Sequence, residues 1–192
     1  LFTLTRAAWF GLLFSLILFG FISKKKVLTI LLIVVMFGSF LLLPSMRQRV
    51  VNLFSIEYQK KSELKGRDFR WDLALNIFRK NPFLGLGPGS FGGAVAYRAQ
   101  AFDGVYVDNY YLEILSNLGF LGIFFFLWLL LSIIREGIKS LRLVESLKSK
   151  YIISALICGF LGFFIHNFFE NLWEVIPLSS TLWFMVGVMV SF

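Results

Sequence analysis

The sequence predicts an all-α integral membrane protein with about five transmembrane helices and a long outer loop that carries an amphipathic helix. Three observations lead to this fold class. Hydrophobic residues make up 58% of the 192 residues, above the roughly 45–50% usual for soluble domains. The hydrophobic residues gather in separate apolar stretches, and basic residues concentrate in two of the connections between those stretches.

The apolar stretches each approach or reach the length of about 20 helical residues that crosses a hydrocarbon core. Three of them are short for that distance, so we expect them to extend into their flanks or to sit in a thinner bilayer. They cover residues 7–23, 27–43, 112–134, 151–169 and 176–192.

The basic connections predict the orientation. Residues 24–26 are three lysines, and residues 135–150 hold five basic residues against two acidic ones. Excess Lys and Arg is typical of cytoplasmic loops, which places residues 1–6, 45–110 and 170–174 on the outer side. The 45–110 loop is long enough to suggest a function of its own.

The chain is expected to form one membrane domain over residues 1–192. It has no initiator Met and enters an apolar segment at once, without the basic start and cleavage site of a signal peptide. We therefore expect it to be the C-terminal portion of a longer, multi-pass protein.

The net charge of +8 could suggest nucleic acid, but in a membrane protein cytoplasmic retention explains excess basic residues first, and no nucleic-acid partner is expected. The single cysteine, Cys158, excludes a disulfide framework and a cysteine metal site. His166 is the only histidine, and the carboxylates show no tight ligand spacing, so neither a metal site nor a cofactor is predicted.

Residues 66–93 read GRDFRWDLALNIFRKNPFLGLGPGSFGG. Phe69, Leu73 and Ile77 recur at helical spacing, with Asp72 on the opposite face, which predicts an amphipathic helix of about 14 residues that Asn-Pro ends. Two roles stay open: an interfacial helix anchored by Trp71, or part of a substrate site.

The glycine cluster at 85–89 lacks the ending of a phosphate-binding P-loop, and no strand precedes it as a dinucleotide fingerprint requires. It predicts a tight, rigid reversal. Its backbone N–H groups could face an anionic ligand, although a plain turn explains the glycines as well.

Polar residues stand at the predicted outer ends of several spans. Arg6 opens the first, Asp108 and Asn109 precede the third, and His166 and Glu170 stand at the outer end of the fourth. Topology brings them to one membrane depth, where polar groups are a functional hypothesis. Asp108 could instead cap its helix, and His166 could be a packing residue.

Arginine matches phosphate oxygens bidentately, and a carboxylate can accept a proton from a hydroxyl. A glycan carried on a membrane lipid diphosphate needs both groups. This substrate type fits the outer face well.

The order of TRAAWFG, the 66–93 segment and DNYYLEILSNLGFLG resembles the O-antigen ligase and polymerase family of bacterial membrane proteins. The Gly-Arg-x₃-Trp opening, the Asn-Pro-x₂-Gly-x-Gly-x-Gly-x-Phe middle and the Asn-x-Tyr-Leu-x₆-Gly ending carry this resemblance together. It covers nearly the whole chain as the C-terminal half of such an enzyme.

The resemblance implies a metal-independent glycosyltransferase in the cytoplasmic (inner) membrane. It would take a polyprenyl-diphosphate-linked glycan on the outer face and pass it to a glycan or lipid-linked acceptor. Arg6 and Arg67 match family arginines that hold the donor diphosphate. Arg70, Asn109 and His166 are possible supporting polar groups.

The family's ligases usually carry His-Asn before Tyr-Leu, with a catalytic part for the His, whereas this chain has Asp108-Asn109. Asp108 could act as the general base, could mark a polymerase-type member, or could leave that role to His166. Ligase and polymerase therefore both stay open. A transporter that moves lipid-linked glycan without bond chemistry is the alternative from another class, but no inverted repeat supports it.

Overall fold

The computed structural model describes residues 6–24, 26–42 and 66–192. Within these ranges the chain forms seven α-helices and two 3₁₀ turns, at Ala101–Gly104 and Leu172–Glu174, and contains no strand. In chain order the helices are α1 (Arg6–Ser23), α2 (Lys26–Leu42), α3 (Arg67–Lys80), α4 (Ala94–Arg98), α5 (Tyr110–Leu143), α6 (Leu147–His166) and α7 (Ile176–Val190).

The predicted all-helical membrane class is confirmed in coarse form. By length and composition, α5 and α6 can cross a membrane, while α1, α2 and α7 contain shorter apolar segments. Phe120, Phe125 and Trp128 on α5 are each more than half exposed, which is typical of a surface that faces lipid. The sidedness and the single 1–192 domain stay predictions, and residues 45–65 of the predicted outer loop lie outside the described residues.

The chain divides into two compact units. The first comprises Leu1–Lys60, Gly137–His166 and Met185–Phe192, and the second comprises Lys61–Glu136 and Asn167–Phe184. Each unit is described by itself.

In the first unit, α1 packs closely on α6 through small residues. A Cβ added to Gly11 would lie 2.7 Å from the carbonyl oxygen of Gly162, and one added to Gly162 would overlap Ser15. Ser15 satisfies its own hydroxyl by donating to the Gly11 carbonyl at 2.8 Å. Small residues allow such backbone approach, which is the usual way helices pack in membranes.

In the second unit, the predicted amphipathic helix is confirmed as α3, Arg67–Lys80, which ends at Asn81. The helix buries Ala74 and Ile77 against Phe91 and Val107. Phe69, expected on the same apolar face, is 43% exposed. The buried stripe of α3 is therefore narrower than the sequence suggested, and it rests on protein.

Helix α5 is broken at Gly119, whose φ of 63° and ψ of −159° are not helical. The loop after α3 fills the break. Leu86 N–H donates to the Ser116 carbonyl at 2.9 Å, and Phe120 N–H donates to the Pro82 carbonyl at 2.7 Å. The backbone groups that a break leaves unsatisfied on both half-helices thus find partners in one loop.

The glycine cluster serves this docking. Gly85 has φ of 67°, and a Cβ there would overlap the Asn117 backbone. Gly87 N–H donates to the Asn117 carbonyl at 2.8 Å, as Leu86 N–H does to Ser116. The tight reversal is confirmed, but these two N–H groups are committed to α5 and do not face an anion.

Candidate functional site

The centre of the polar region is an ion pair between Arg70 and Asp108. Arg70 lies in the first turn of α3, and its Nη2 is 2.8 Å from Asp108 Oδ2, with both side chains about a quarter exposed at 25% and 22%. Asp108 stands just before α5, two residues after Tyr106. The Tyr106 carbonyl accepts a hydrogen bond from Arg70 Nη1 at 2.8 Å. Arg70 Nε donates to the Gly66 carbonyl at 3.1 Å. Each nitrogen of this guanidinium therefore has a fixed direction.

Arg67 begins α3, one turn before Arg70, and is held differently. Its Nη2 donates to the Phe169 carbonyl at 3.2 Å, and its guanidinium carbon lies 5.8 Å from the centre of the Phe169 ring, a cation–π distance. Within the described residues, Arg67 Nε is buried without a hydrogen-bond partner. A buried N–H of this kind can serve an incoming oxygen.

Glu170 adds a second carboxyl to this region. Burial raises the pKa of Glu170 above its usual value, and the charge of Asp108 adds to the rise. Arg67 and Arg70 lower the same pKa by a smaller amount. We call Arg67, Arg70, Asp108 and Glu170 the charged cluster: two arginines and two carboxyls within electrostatic reach of one another.

Asn109 is the cap of α5. Its Oδ1 accepts from the N–H groups of Tyr111 and Leu112, both at 3.1 Å, and the residue is only 5% exposed. Asn109 therefore caps α5, the role that was considered for Asp108. Asp108 instead forms an ion pair with Arg70 through Oδ2. A substrate contact of Asn109 stays a prediction.

The remaining predicted site residues, Arg6 and His166, belong to the first unit and are described apart from the charged cluster. Arg6 begins α1, and its side chain lies outside the described residues. His166 is the last residue of α6; its Nε2 is buried without a hydrogen-bond partner in the described part of the chain. Their predicted roles stay predictions.

From the sequence, Glu170 was placed among the outer polar residues without a role, and Glu174 was not singled out. The signal was present, because the 170–174 turn holds two glutamates and no basic residue. What was missing was the partner: nothing local indicates that this turn meets α3, which comes about a hundred residues earlier in the chain.

The charged cluster has a definite chemical capacity. Two guanidinium groups one helical turn apart can neutralise neighbouring phosphates. A carboxylate beside them can take a proton from a hydroxyl. In the described ranges no group of three or more His, Cys, Asp and Glu side chains is placed to hold a metal ion.

Comparison with known proteins identifies the family of the chain. The family model described as O-antigen ligase matches residues 1–127, which include α1 to α4, the α5 break and three members of the charged cluster. A search of curated proteins found no match. The chain therefore belongs to the O-antigen ligase family, as a membrane protein with a glycosyltransferase-like role in polysaccharide biosynthesis.

Proposed function

We propose that this protein transfers a glycan from a polyprenyl diphosphate carrier to an acceptor hydroxyl, without a metal, on the outer face of the cytoplasmic membrane. The single observation that carries the proposal is the 2.8 Å contact between Arg70 and Asp108, one helical turn from Arg67. A guanidinium that could bind the diphosphate therefore lies beside a carboxylate that could accept the acceptor's proton.

The arginines would bind the donor. When the bond between the anomeric carbon and the diphosphate oxygen breaks, the leaving diphosphate gains negative charge, which fixed guanidinium groups stabilise more in the transition state than in the ground state. Arg67 suits this role because its Nε is buried without a partner among the described residues. Phe169 holds the Arg67 guanidinium in place through a cation–π contact with its ring and a hydrogen bond to its carbonyl.

Asp108 would be the general base. A diphosphate that binds Arg70 competes with Asp108 for Nη2, and this competition frees Oδ2 for the acceptor hydroxyl. The hydroxyl proton passes to Asp108 while the acceptor oxygen forms its bond to the anomeric carbon. The lipid diphosphate leaves with the electron pair of the broken bond, so charge and atoms balance.

Glu170 is the second candidate for the base. Its raised pKa makes it a better proton acceptor than an ordinary glutamate once it is ionised. Asp108 is preferred because it contacts Arg70 directly, which couples release of the base to binding of the donor.

The test replaces Asp108 with Asn and with His in the protein as expressed in a cell that lacks its native copy. We expect Asp108→Asn to abolish surface glycan and Asp108→His to restore part of it, since His can also accept a proton. Asp72→Asn, an exposed change on α3, is the matched control. Normal glycan in Asp108→Asn would contradict the base role.

A gel that resolves glycan length in these cells distinguishes a polymerase from a ligase. A polymerase joins one lipid-linked glycan to another, so its loss leaves single units. A ligase moves a finished glycan to a different acceptor, so its loss leaves full-length glycan on the carrier.

Purified wild-type protein that transferred no glycan in detergent, but moved the carrier across a membrane, would favour the transporter alternative.

A further inference from the structure

Glu174 ties together two distant points of the segment between α3 and α5. Its Oε1 accepts the backbone N–H of Ala94 at 2.8 Å, and its Oε2 accepts the phenol of Tyr106 at 2.8 Å. Burial raises the pKa of the Tyr106 phenol far above its usual value, and the Glu174 hydrogen bond adds to the rise. The phenol therefore stays protonated and continues to donate.

A second carboxyl, Glu113, lies against the first. Glu113 is only 8% exposed, so its carboxyl has little contact with water. A Cβ on Gly93 would overlap Oε1 of Glu113 and lie 2.5 Å from Oε1 of Glu174. Both carboxyls thus meet over a glycine, where a side chain would not fit.

Two buried carboxyls that meet at one point do not both ionise, so one of them holds a proton. Both oxygens of Glu174 already accept from other donors. Oε2 of Glu113 accepts Asn171 Nδ2 at 2.6 Å, which leaves its Oε1 to donate. We therefore assign the proton to Glu113 and the negative charge to Glu174.

This pair reaches the charged cluster through one residue. Tyr106 gives its phenol to Glu174 and its carbonyl to Arg70 Nη1, and it lies two residues before Asp108. Moving Tyr106 would move an acceptor of Arg70 and the backbone that leads to Asp108.

We propose that Glu174 is a positioning residue that, with neutral Glu113 as its buried hydrogen-bond donor, fixes Tyr106 so that Arg70 points at the donor diphosphate. The role given to Arg70 rests on the proposed function. Glu174 lies beyond residues 1–127, which the family model matches. The role of Glu174 is therefore inferred from its contacts in this structure and not from the family match.

The proton assignment predicts an asymmetry between the two glutamates. Glu113→Gln keeps the network, because an amide N–H donates to Glu174 and the amide oxygen accepts from Asn171. Glu174→Ala leaves the Ala94 N–H and the Tyr106 phenol without their acceptor. Tyr106→Phe is the gentler variant, since it removes one hydrogen bond and keeps the carbonyl that accepts Arg70.

The experiment measures two quantities on the full chain in detergent: hydrogen exchange of peptides covering residues 93–106, and the dissociation constant of polyprenyl diphosphate. We expect Glu174→Ala to speed exchange and weaken binding about tenfold, and Tyr106→Phe to weaken it several-fold. Glu113→Gln and Glu145→Ala, an exposed control, should change neither. A purely structural role would instead reduce the fraction of protein that binds and leave the dissociation constant unchanged.

Unchanged binding in both Glu174→Ala and Tyr106→Phe would overturn the positioning role even if exchange increased. Loss of binding in Glu113→Gln would overturn the proton assignment. Failure of the proposed function has a different signature: wild-type protein would not bind polyprenyl diphosphate, and the role of Arg70 would fall with it, while the exchange data alone would decide whether Glu174 holds the segment.

Discussion

The backbone N–H of Phe120 donates a hydrogen bond of 2.7 Å to the carbonyl oxygen of Pro82. This bond joins the second half of α5 to the loop after α3, across the break at Gly119. Asn117, on the first half, bonds Phe91 twice, through Oδ1 and through Nδ2, both at 2.8 Å. The loop after α3 and both halves of α5 are therefore joined by hydrogen bonds into one compact structure.

The first prediction concerns the glycines at this junction. Gly85→Ala and Gly119→Ala should each destabilise the protein, by about 1–2 kcal/mol from the positive φ alone and by more from the overlap with the Asn117 and Phe83 backbones. Gly159→Ala is the control, because nothing lies within 4 Å of its added Cβ. Thermal unfolding in detergent measures the difference; equal midpoints for all three variants would contradict the docking.

The second prediction tests the diphosphate clamp. Arg67→Lys keeps the charge but loses the planar fork and the stacking on Phe169, so we expect transfer to fall by about tenfold or more. Arg79→Lys, at the exposed end of the same helix, should retain normal transfer. The measurement is the initial rate of glycan transfer at limiting donor. An unimpaired Arg67→Lys enzyme would argue against the clamp.

The third prediction separates capping from substrate binding at Asn109. Asn109→Ala should cost about 1 kcal/mol of stability through loss of the cap, whereas Asn109→Asp keeps an acceptor and most of that stability. Neither change should alter the KM for the donor. A raised KM at unchanged stability would restore Asn109 to the list of substrate contacts.

The fourth prediction follows from the raised pKa of Glu170. A carboxyl whose pKa is raised in the folded state stabilises the fold fully below its unfolded pKa, and this contribution is lost as pH rises through the folded value. Glu170→Gln cannot ionise. The variant should therefore match the wild type in acid and become relatively more stable as pH rises above the usual glutamate range, as unfolding midpoints across pH would show. A constant difference would mean that Glu170 has an ordinary pKa.

Much of the helical layout could be predicted from local signals. Arg67–Lys80 was recognisable because its apolar spacing, first-turn Asp and last-turn Arg-Lys all agree. The break in α5 was not, because LSNLGFLG reads as continuous apolar helix when its partner loop is unknown. A glycine within a helix signals a break only when something else supplies the missing hydrogen bonds.

The site was predictable in chemical type more than in geometry. Arg67, Arg70 and Asp108 were selected from residue type, position and resemblance. Their contacts depend on Phe169 and Tyr106, whose carbonyl groups carry no sequence signal at all. Glu170 and Glu174 needed long-range information, since their partners come from α3 and the segment before α5.

The filled break in α5 also bears on how the protein is made. Until residues 82–87 dock, the nascent helix has bare carbonyls at Ser116 and Asn117 and a bare N–H at Phe120, which hydrocarbon does not tolerate. Residues 82–87 are synthesised before α5, so this loop is already present when the helix emerges. We therefore expect α5 to insert stably only after residues 82–87 have docked, so that insertion of this helix depends on a loop made before it.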